Sequence, residues 1–232
     1  MITAALQARN LEEAWMLGLR EIMLRGREYR KDDSTRAGLL RKALDFLAIE
    51  ILYPEDRPLV PLGKPGCISL CTEEDAQKYL LEKLFTTHDP EPNEAYTYAQ
   101  YLLPGLEYTT KRYAFGGFYT QKACMSVGDV WEDIRSAIQG KSIPCLRMID
   151  TRIIANECGV DRLHYYIYFR AWNWFGAFSL EMAGFQMLKE AHCCMIESES
   201  GRKVVPGPTI CMSKDAHVND IEWDAARAWL GE

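Results

Sequence analysis

One stretch constrains this chain more than any other, residues 142–190. It opens on a Pro-Cys pair, Pro144-Cys145, runs through a strand-patterned segment, residues 163–169, and reaches Arg170 immediately before a helical stretch. If the strand after the cysteine neighbours the strand before the arginine, Cys145, Arg170 and polar side chains of the following helix face one cavity. That is an active-site layout. A thiolate nucleophile needs partial exposure and a lowered pKa, and an adjacent guanidinium favours the ionised form. Cys145 is the candidate nucleophile and Arg170 its neighbour.

The rest of the chain narrows the class. A length of 232 residues with 48% apolar residues suits one medium domain, residues 1–232, with a substantial core. The net charge of −6, with no basic cluster longer than the one at residues 25–31, argues against a nucleic-acid binder held by phosphate contacts. Small-molecule partners are expected. The eight cysteines show no regular spacing and no signal-peptide core precedes them, so they read as reduced thiols of a cytoplasmic protein. Cys67/Cys71 and Cys193-Cys194 lack the second pair that a zinc site needs, and no metal is expected. No apolar run is long enough for a membrane span.

Taken in order, Leu11, Trp15, Leu19, Ile22 and Met23 recur at helical spacing, with Gly26 as a stop. Residues 44–52 are apolar and end at Pro54, and pattern alone leaves strand or helix open. Residues 54–66 read as a loop. Thr72 with Asp75 three residues on forms a capping signal for a helix over residues 72–85 that buries Ala76, Tyr79, Leu80 and Leu84. Residues 88–93 read as a turn. Residues 195–204 read as a Ser/Glu/Gly loop, and residues 209–212 as a short strand.

Several of these elements, in this order, resemble the thymidylate synthase family. The matching residues are Pro144-Cys145, then Arg170-Ala171-Trp172-Asn173, Gly176 and Glu181, then the segment Asp215-Ala216-His217-Val218-Asn219, across roughly residues 94–223. The resemblance implies an α/β (α+β) fold, a mixed twisted sheet packed with helices, whose sheet face is used for dimerisation. It implies a homodimer, 5,10-methylenetetrahydrofolate as co-substrate, and a pyrimidine nucleotide as substrate. It also implies roles. Arg170 and the residue at 171 lie near phosphate and sugar, and Asn173 near base or folate. His217 and Asn219 contact the sugar, and Tyr98 lines the nucleotide pocket. Lys122, in the Gln121-Lys122 pair where the family has two arginines, reaches phosphate across the dimer. Arg27 is an early phosphate candidate, although Arg27 and Arg30 also read as solvated charges. Glu82 and Trp174 fall on the folate side, and Asp150 supports the nucleophile from its strand.

The departures from the family carry the specificity reading. Where the family reads uracil with an asparagine, this chain has Glu181. Cytosine presents an acceptor at N3 and an amino donor at C4, which a carboxylic acid matches by donating once and accepting once. A carboxyl shared with N3 also offsets the charge that builds on the ring when the thiolate adds. Asn219 in place of a tyrosine, and Ala171 in place of a serine, suit a ribose. The chain ends soon after the His217 segment, without a long closing tail, which makes capture of the one-carbon unit by water easier. The expected activity is hydroxymethylation at C5 of a cytosine nucleotide, CMP foremost. The rivals are a dCMP hydroxymethylase, a thymidylate synthase acting on dUMP, or a catalytically silent nucleotide-binding relative.

Overall fold

The computed structural model describes residues 1–31, 38–87, 96–141 and 143–232; the turn expected at residues 88–93 lies outside them. Among the described residues, ten strands and six α-helices follow in the order β1 (Thr3–Ala8), α1 (Leu11–Arg25), β2 (Arg27–Arg30), β3 (Leu40–Leu44), β4 (Phe46–Ile51), α2 (Glu73–Tyr79), α3 (Ala99–Phe115), β5 (Ala123–Ser126), α4 (Val130–Ile138), β6 (Leu146–Ala155), β7 (Asp161–Phe169), β8 (Trp172–Asn173), α5 (Phe178–Ser200), β9 (Val205–Ser213), β10 (Ala216–Asn219) and α6 (Trp223–Leu230). The architecture is mixed α and β, as expected.

A six-stranded sheet has the order β1-β4-β9-β7-β6-β5. It mixes parallel pairs, β1/β4 and β7/β9, with antiparallel ones, β4/β9, β6/β7 and β5/β6. Alternation along β7 turns Leu163, Tyr165, Ile167 and Phe169 into the core and leaves His164, Tyr166 and Tyr168 half-buried on the opposite face. Helices α1, α3 and α5 pack against this sheet. Lys189 fastens α5 to β9, its buried Nζ donating to the Gly207 carbonyl at 2.7 Å and to Thr209 Oγ1 at 2.6 Å. A second sheet, β2-β3-β10-β8, is small and mixed.

The local signals mostly act where the sequence puts them. Asn10 caps α1 by accepting from the Glu13 amide, and the Gly26 amide closes its last turn onto the Ile22 carbonyl. Thr72 and Asp75 form the reciprocal capping box of α2. That helix does not run on unchanged: residues Leu80–Phe85 form a π-helical turn. The ambiguous run at residues 44–52 is a strand, β4, because β1 and β9 pair with both of its edges. The loop expected from residue 195 begins only at Gly201. Ile196 is fully buried and extends the inner face of α5, and Gly201, at φ 68°, supplies the left-handed residue that ends it.

Candidate active site

Strands β6 and β7 are antiparallel neighbours, so Cys145 and Arg170 meet where the two strands end. The Arg170 amide donates to the Cys145 carbonyl at 2.8 Å. The Arg170 guanidinium then reaches back under the cysteine loop, with Nε donating to the Pro144 carbonyl and Nη2 to the Ile143 carbonyl, both at 2.9 Å. The same arginine therefore fixes the loop backbone and places a positive charge near the thiol. Burial pushes the Cys145 thiol above its usual range, Arg170, Lys31 and Arg41 pull it down, and Glu181 pushes it up. Burial dominates, so the thiol rests protonated.

Glu181, on the first turn of α5, is one of the charges that Cys145 feels. The indole of Trp172 donates to its Oε2 at 2.6 Å. Burial pushes this carboxyl up to about 7, against the Trp172 hydrogen bond, which lowers it. Trp172 is itself fixed: its ring stacks on Phe169 with centroids 4.1 Å apart, and its amide donates to the Asp215 carbonyl. A carboxyl balanced near neutrality beside a thiol and an arginine is the pattern of a site that works by proton sharing.

Glu181 lines a cavity of ≈ 140 Å³ together with Tyr79, Lys83, Tyr96, Thr97 and Tyr98. The Tyr96 and Tyr98 rings are tilted at 53° with centroids 5.4 Å apart, and the Tyr98 hydroxyl accepts from the Leu146 amide, next to Cys145. Tyr79, Tyr96 and Tyr98 each interact electrostatically with both Cys145 and Glu181. The three phenols line the cavity with the Glu181 carboxyl, and Tyr98 ties that cavity to the residue after Cys145. A second cavity of ≈ 230 Å³, polar in character, adjoins the first through Tyr96 and rests on Pro144.

The small sheet contributes the third side. Arg41 on β3 is buried; its Nε donates to Asn219 Oδ1 at 3.2 Å and its Nη1 lies 3.4 Å from Asp215 Oδ2. The Tyr29 hydroxyl donates to Asp215 Oδ1 at 2.8 Å. His217 Nδ1 sits 3.0 Å from the Asp215 carbonyl, which can only accept, so Nδ1 carries the proton and Nε2 is left as an acceptor. Burial lowers the His217 pKa and keeps the ring neutral. Glu222 joins this sheet together, accepting from Asn173 Nδ2 at 2.9 Å and from Asn219 Nδ2 at 3.0 Å.

The structure therefore brings together Cys145, Arg170, Glu181 and Tyr98, with Ala171 between Arg170 and Trp172, and connects His217 to them through Arg41. Other candidates lie elsewhere. Trp174 is not a cofactor surface: it is 1% exposed, its indole donates to the Trp15 carbonyl, and it stacks on Phe178 in the core. Glu82 is on the solvent side of its turn, 3.9 Å from Lys78, while Tyr79 and Lys83 of the same segment line the cavity. Asp150 is five positions along β6 from Cys145, about 16 Å at strand spacing, paired across the sheet with Cys124 and Tyr166. Lys122 is exposed beside β5, whose first residue pairs with Thr151 at the far part of β6. Arg27 is an exposed partner of Asp45 at 2.8 Å. Asn219 is 1% exposed with its amide engaged on both sides by Arg41 and Glu222, so it braces Arg41 and does not open toward a sugar. Asn173 is likewise held, by Glu222 and by the Gly176 amide.

Three members of the site escaped sequence reasoning. Trp172 carries a signal only in hindsight, as an aromatic two residues after Arg170. Tyr79 reads as part of a buried helix face without a role, and Arg41 carries no local signal of its place in the site. Among the described residues no group of histidines, cysteines and carboxylates could hold a metal ion, every cysteine is free, and no helix is long and apolar enough to cross a membrane. Compared by sequence, the chain matches no protein-family model and no curated protein.

Proposed function

We propose that this chain transfers a one-carbon unit to C5 of a cytosine nucleotide, CMP foremost, and captures it with water to give 5-hydroxymethyl-CMP, on a fold like that of thymidylate synthases. The observation that carries the reading is that Glu181 shares a cavity with Tyr98, whose hydroxyl accepts from the Leu146 amide next to Cys145. A thiolate adding at C6 makes C5 nucleophilic, and an acid shared with N3 takes up the electron density released into the ring. Glu181, poised near 7, can donate to N3 and accept from the C4 amino group. The thiol's raised pKa means that addition needs its proton removed once the nucleotide is in place. Arg170, Lys31 and Arg41 supply the positive field for that thiolate and for a nucleotide phosphate.

5,10-Methylenetetrahydrofolate is the proposed donor, supplying carbon at the formaldehyde level. The two residues assigned to folate by sequence, Glu82 and Trp174, do not face the cavity, so no contact to the donor is assigned. Ala171 leaves the space of a missing hydroxyl beside Arg170, which fits a ribose. A homodimer built on the outer face of the large sheet is part of the proposal: Tyr166, Tyr168, Ile210, Met148 and Met212 are half-buried on that face in one chain, a composition suited to a subunit contact.

The test needs no donor. Thiolate addition and reversal exchange the C5 hydrogen of a bound pyrimidine with solvent. CMP incubated with the protein in D2O should lose its C5 proton signal, dUMP should not, and Cys145→Ser should abolish the exchange. Exchange into dUMP alone would move the assignment to a thymidylate synthase, and exchange into neither nucleotide would refute the reading. With labelled donor, the product should be 5-hydroxymethyl-CMP.

A further inference from the structure

Away from Cys145, a cavity of ≈ 350 Å³ lies between α3 and α5, within the size range of small-molecule sites. The two helices touch at Thr109 and His192, where Oγ1 and Nε2 are 3.1 Å apart. The groove lies next to that contact, between Thr110 of α3 and Cys194 and Met195 of α5, with Glu107, Lys111 and Glu199 also on its lining.

Thr110 is 3% exposed, and its hydroxyl makes no hydrogen bond. A helical threonine ordinarily donates to the carbonyl three or four residues back, which for the second choice at Thr110 is that of Leu106. Thr109 Oγ1 already takes this carbonyl, at 3.1 Å, together with the Gly105 carbonyl at 2.9 Å. Thr110 is left with an unused donor and acceptor on the wall of a cavity. A buried hydroxyl in that state is costly until something completes it.

Charge narrows the ligand. The Lys111 ammonium is held by Glu107 of its own helix, Nζ to Oε1 2.5 Å. Glu199, exposed on α5, makes no ion pair among the described residues. The groove therefore presents an unbalanced carboxylate, a hydroxyl able to accept, and the exposed Cys194 thiol. An ammonium group suits the first two, and a disulfide suits the third. We propose that this groove is a second ligand site, for small aminothiol disulfides, in which the ammonium is held by Thr110 and Glu199 while Cys194 takes up the amine-bearing half by thiol–disulfide exchange. The site is independent of the chemistry at Cys145.

The exchange balances without an outside oxidant. Cys194 loses its proton to solvent, and the thiolate attacks one sulfur of the reagent. A bond forms between that sulfur and Cys194 Sγ as the reagent's own S–S bond breaks. The departing thiolate takes up a proton. One disulfide replaces another, so no net oxidation or reduction occurs.

The test treats the protein with cystamine, hydroxyethyl disulfide or dithiodipropionate, which carry cationic, neutral and anionic arms. Mixed disulfide is quantified on the Cys194 and Cys158 peptides by mass spectrometry. Cys158 is exposed between β6 and β7, outside the groove, so the ratio of Cys194 to Cys158 modification cancels the intrinsic reactivity of each reagent. That ratio should be about tenfold or more higher with cystamine than with dithiodipropionate, the scale of a hydrogen bond to a charged group. Thr110→Val, which keeps the shape of the buried side chain, should remove most of the preference. Thr110→Ser should keep it, and Glu199→Gln should lower it by about threefold, the scale of an exposed charge pair. Equal ratios for the three reagents overturn the proposal and leave Cys194 an exposed thiol only. A cation preference that survives Thr110→Val overturns it equally.

Discussion

Trp172 Nε1 donates to Glu181 Oε2 at 2.6 Å, and this hydrogen bond opposes burial in setting the charge of the carboxyl. A donor to a carboxylate favours its ionised form. The form that reads cytosine is the protonated one, so CMP binding should weaken as pH rises through about 7 and should take up a proton above that value. Trp172→Phe removes the donor, raises the Glu181 pKa further and moves the loss of affinity to higher pH. Titration calorimetry between about pH 5.5 and 8.5, in buffers of different ionisation heat, measures both effects; a loss of affinity that moves downward in the variant contradicts the assignment.

Glu181→Gln separates function from stability. An amide can still donate to N3 and accept from the C4 amino group, but it cannot give up a proton to N3 as charge builds on the ring, so cytosine turnover should fall at least ~100-fold. Stability moves the other way. The folded carboxyl is raised from 4.5 to about 7, so in the wild type the stability present below the unfolded value is lost as pH rises through about 7. The glutamine variant has no such group and should show a flatter dependence of Tm on pH over this range. Thermal melts from acid to mild base read it directly.

How much of this was legible before the coordinates depends on the kind of signal. The meeting of Cys145 with Arg170 was legible, because strand pattern and adjacency fix it once β6 and β7 pair. Capping residues of α1 and α2 were legible because their partners lie three or four residues away. What failed was the face of an element. The helical repeat through residues 72–85 places Glu82 and Tyr79 by a 3.6-residue period, and the π-helical turn after Tyr79 resets that period, leaving Glu82 in solvent. Trp174 reads like its neighbour Trp172, but β8 ends at Asn173: the Trp172 indole reaches Glu181, and the Trp174 indole, one residue past the strand, reaches the Trp15 carbonyl. Arg41 needs a long-range pairing, β3 with β10, that no local pattern announces.

Gly184 carries a steric prediction. Alanine there would meet the Tyr79 ring at 2.6 and 3.1 Å, and the ring edge cannot give way without moving the phenol. Gly184→Ala should destabilise by about 1–3 kcal/mol, the usual cost of overpacking. Denaturant unfolding checks it; a variant of wild-type stability would show that the Tyr79 ring can shift away from the added methyl group.

Trp174→Phe tests the reassignment of that residue to the core. The Trp174 indole donates to the Trp15 carbonyl at 2.9 Å, and the Trp15 indole donates to the Trp174 carbonyl at 3.1 Å. Removing one of this reciprocal pair loses a buried hydrogen bond, at about 0.5–1.5 kcal/mol. Unfolding should occur at lower denaturant while the Michaelis constant for the folate donor stays at its wild-type value; a rise in that constant at unchanged stability would return Trp174 to the cofactor side.

Arg170 has two functions that substitution can pull apart. Its charge lowers the Cys145 pKa, and its two-pronged grip holds the Ile143 and Pro144 carbonyls. Arg170→Met removes both, so the pH midpoint for alkylation of Cys145, followed on the Cys145 peptide by mass spectrometry because Cys158 and Cys194 are exposed, should shift upward. Arg170→Lys keeps a point charge and loses the planar fork. It should restore much of the alkylation midpoint while leaving turnover below wild type, since a thiolate on a loosened loop is ionised but misplaced relative to Glu181. Equal midpoints in all three proteins would show that the guanidinium acts on the loop alone, and full turnover in Arg170→Lys would show that it acts by charge alone.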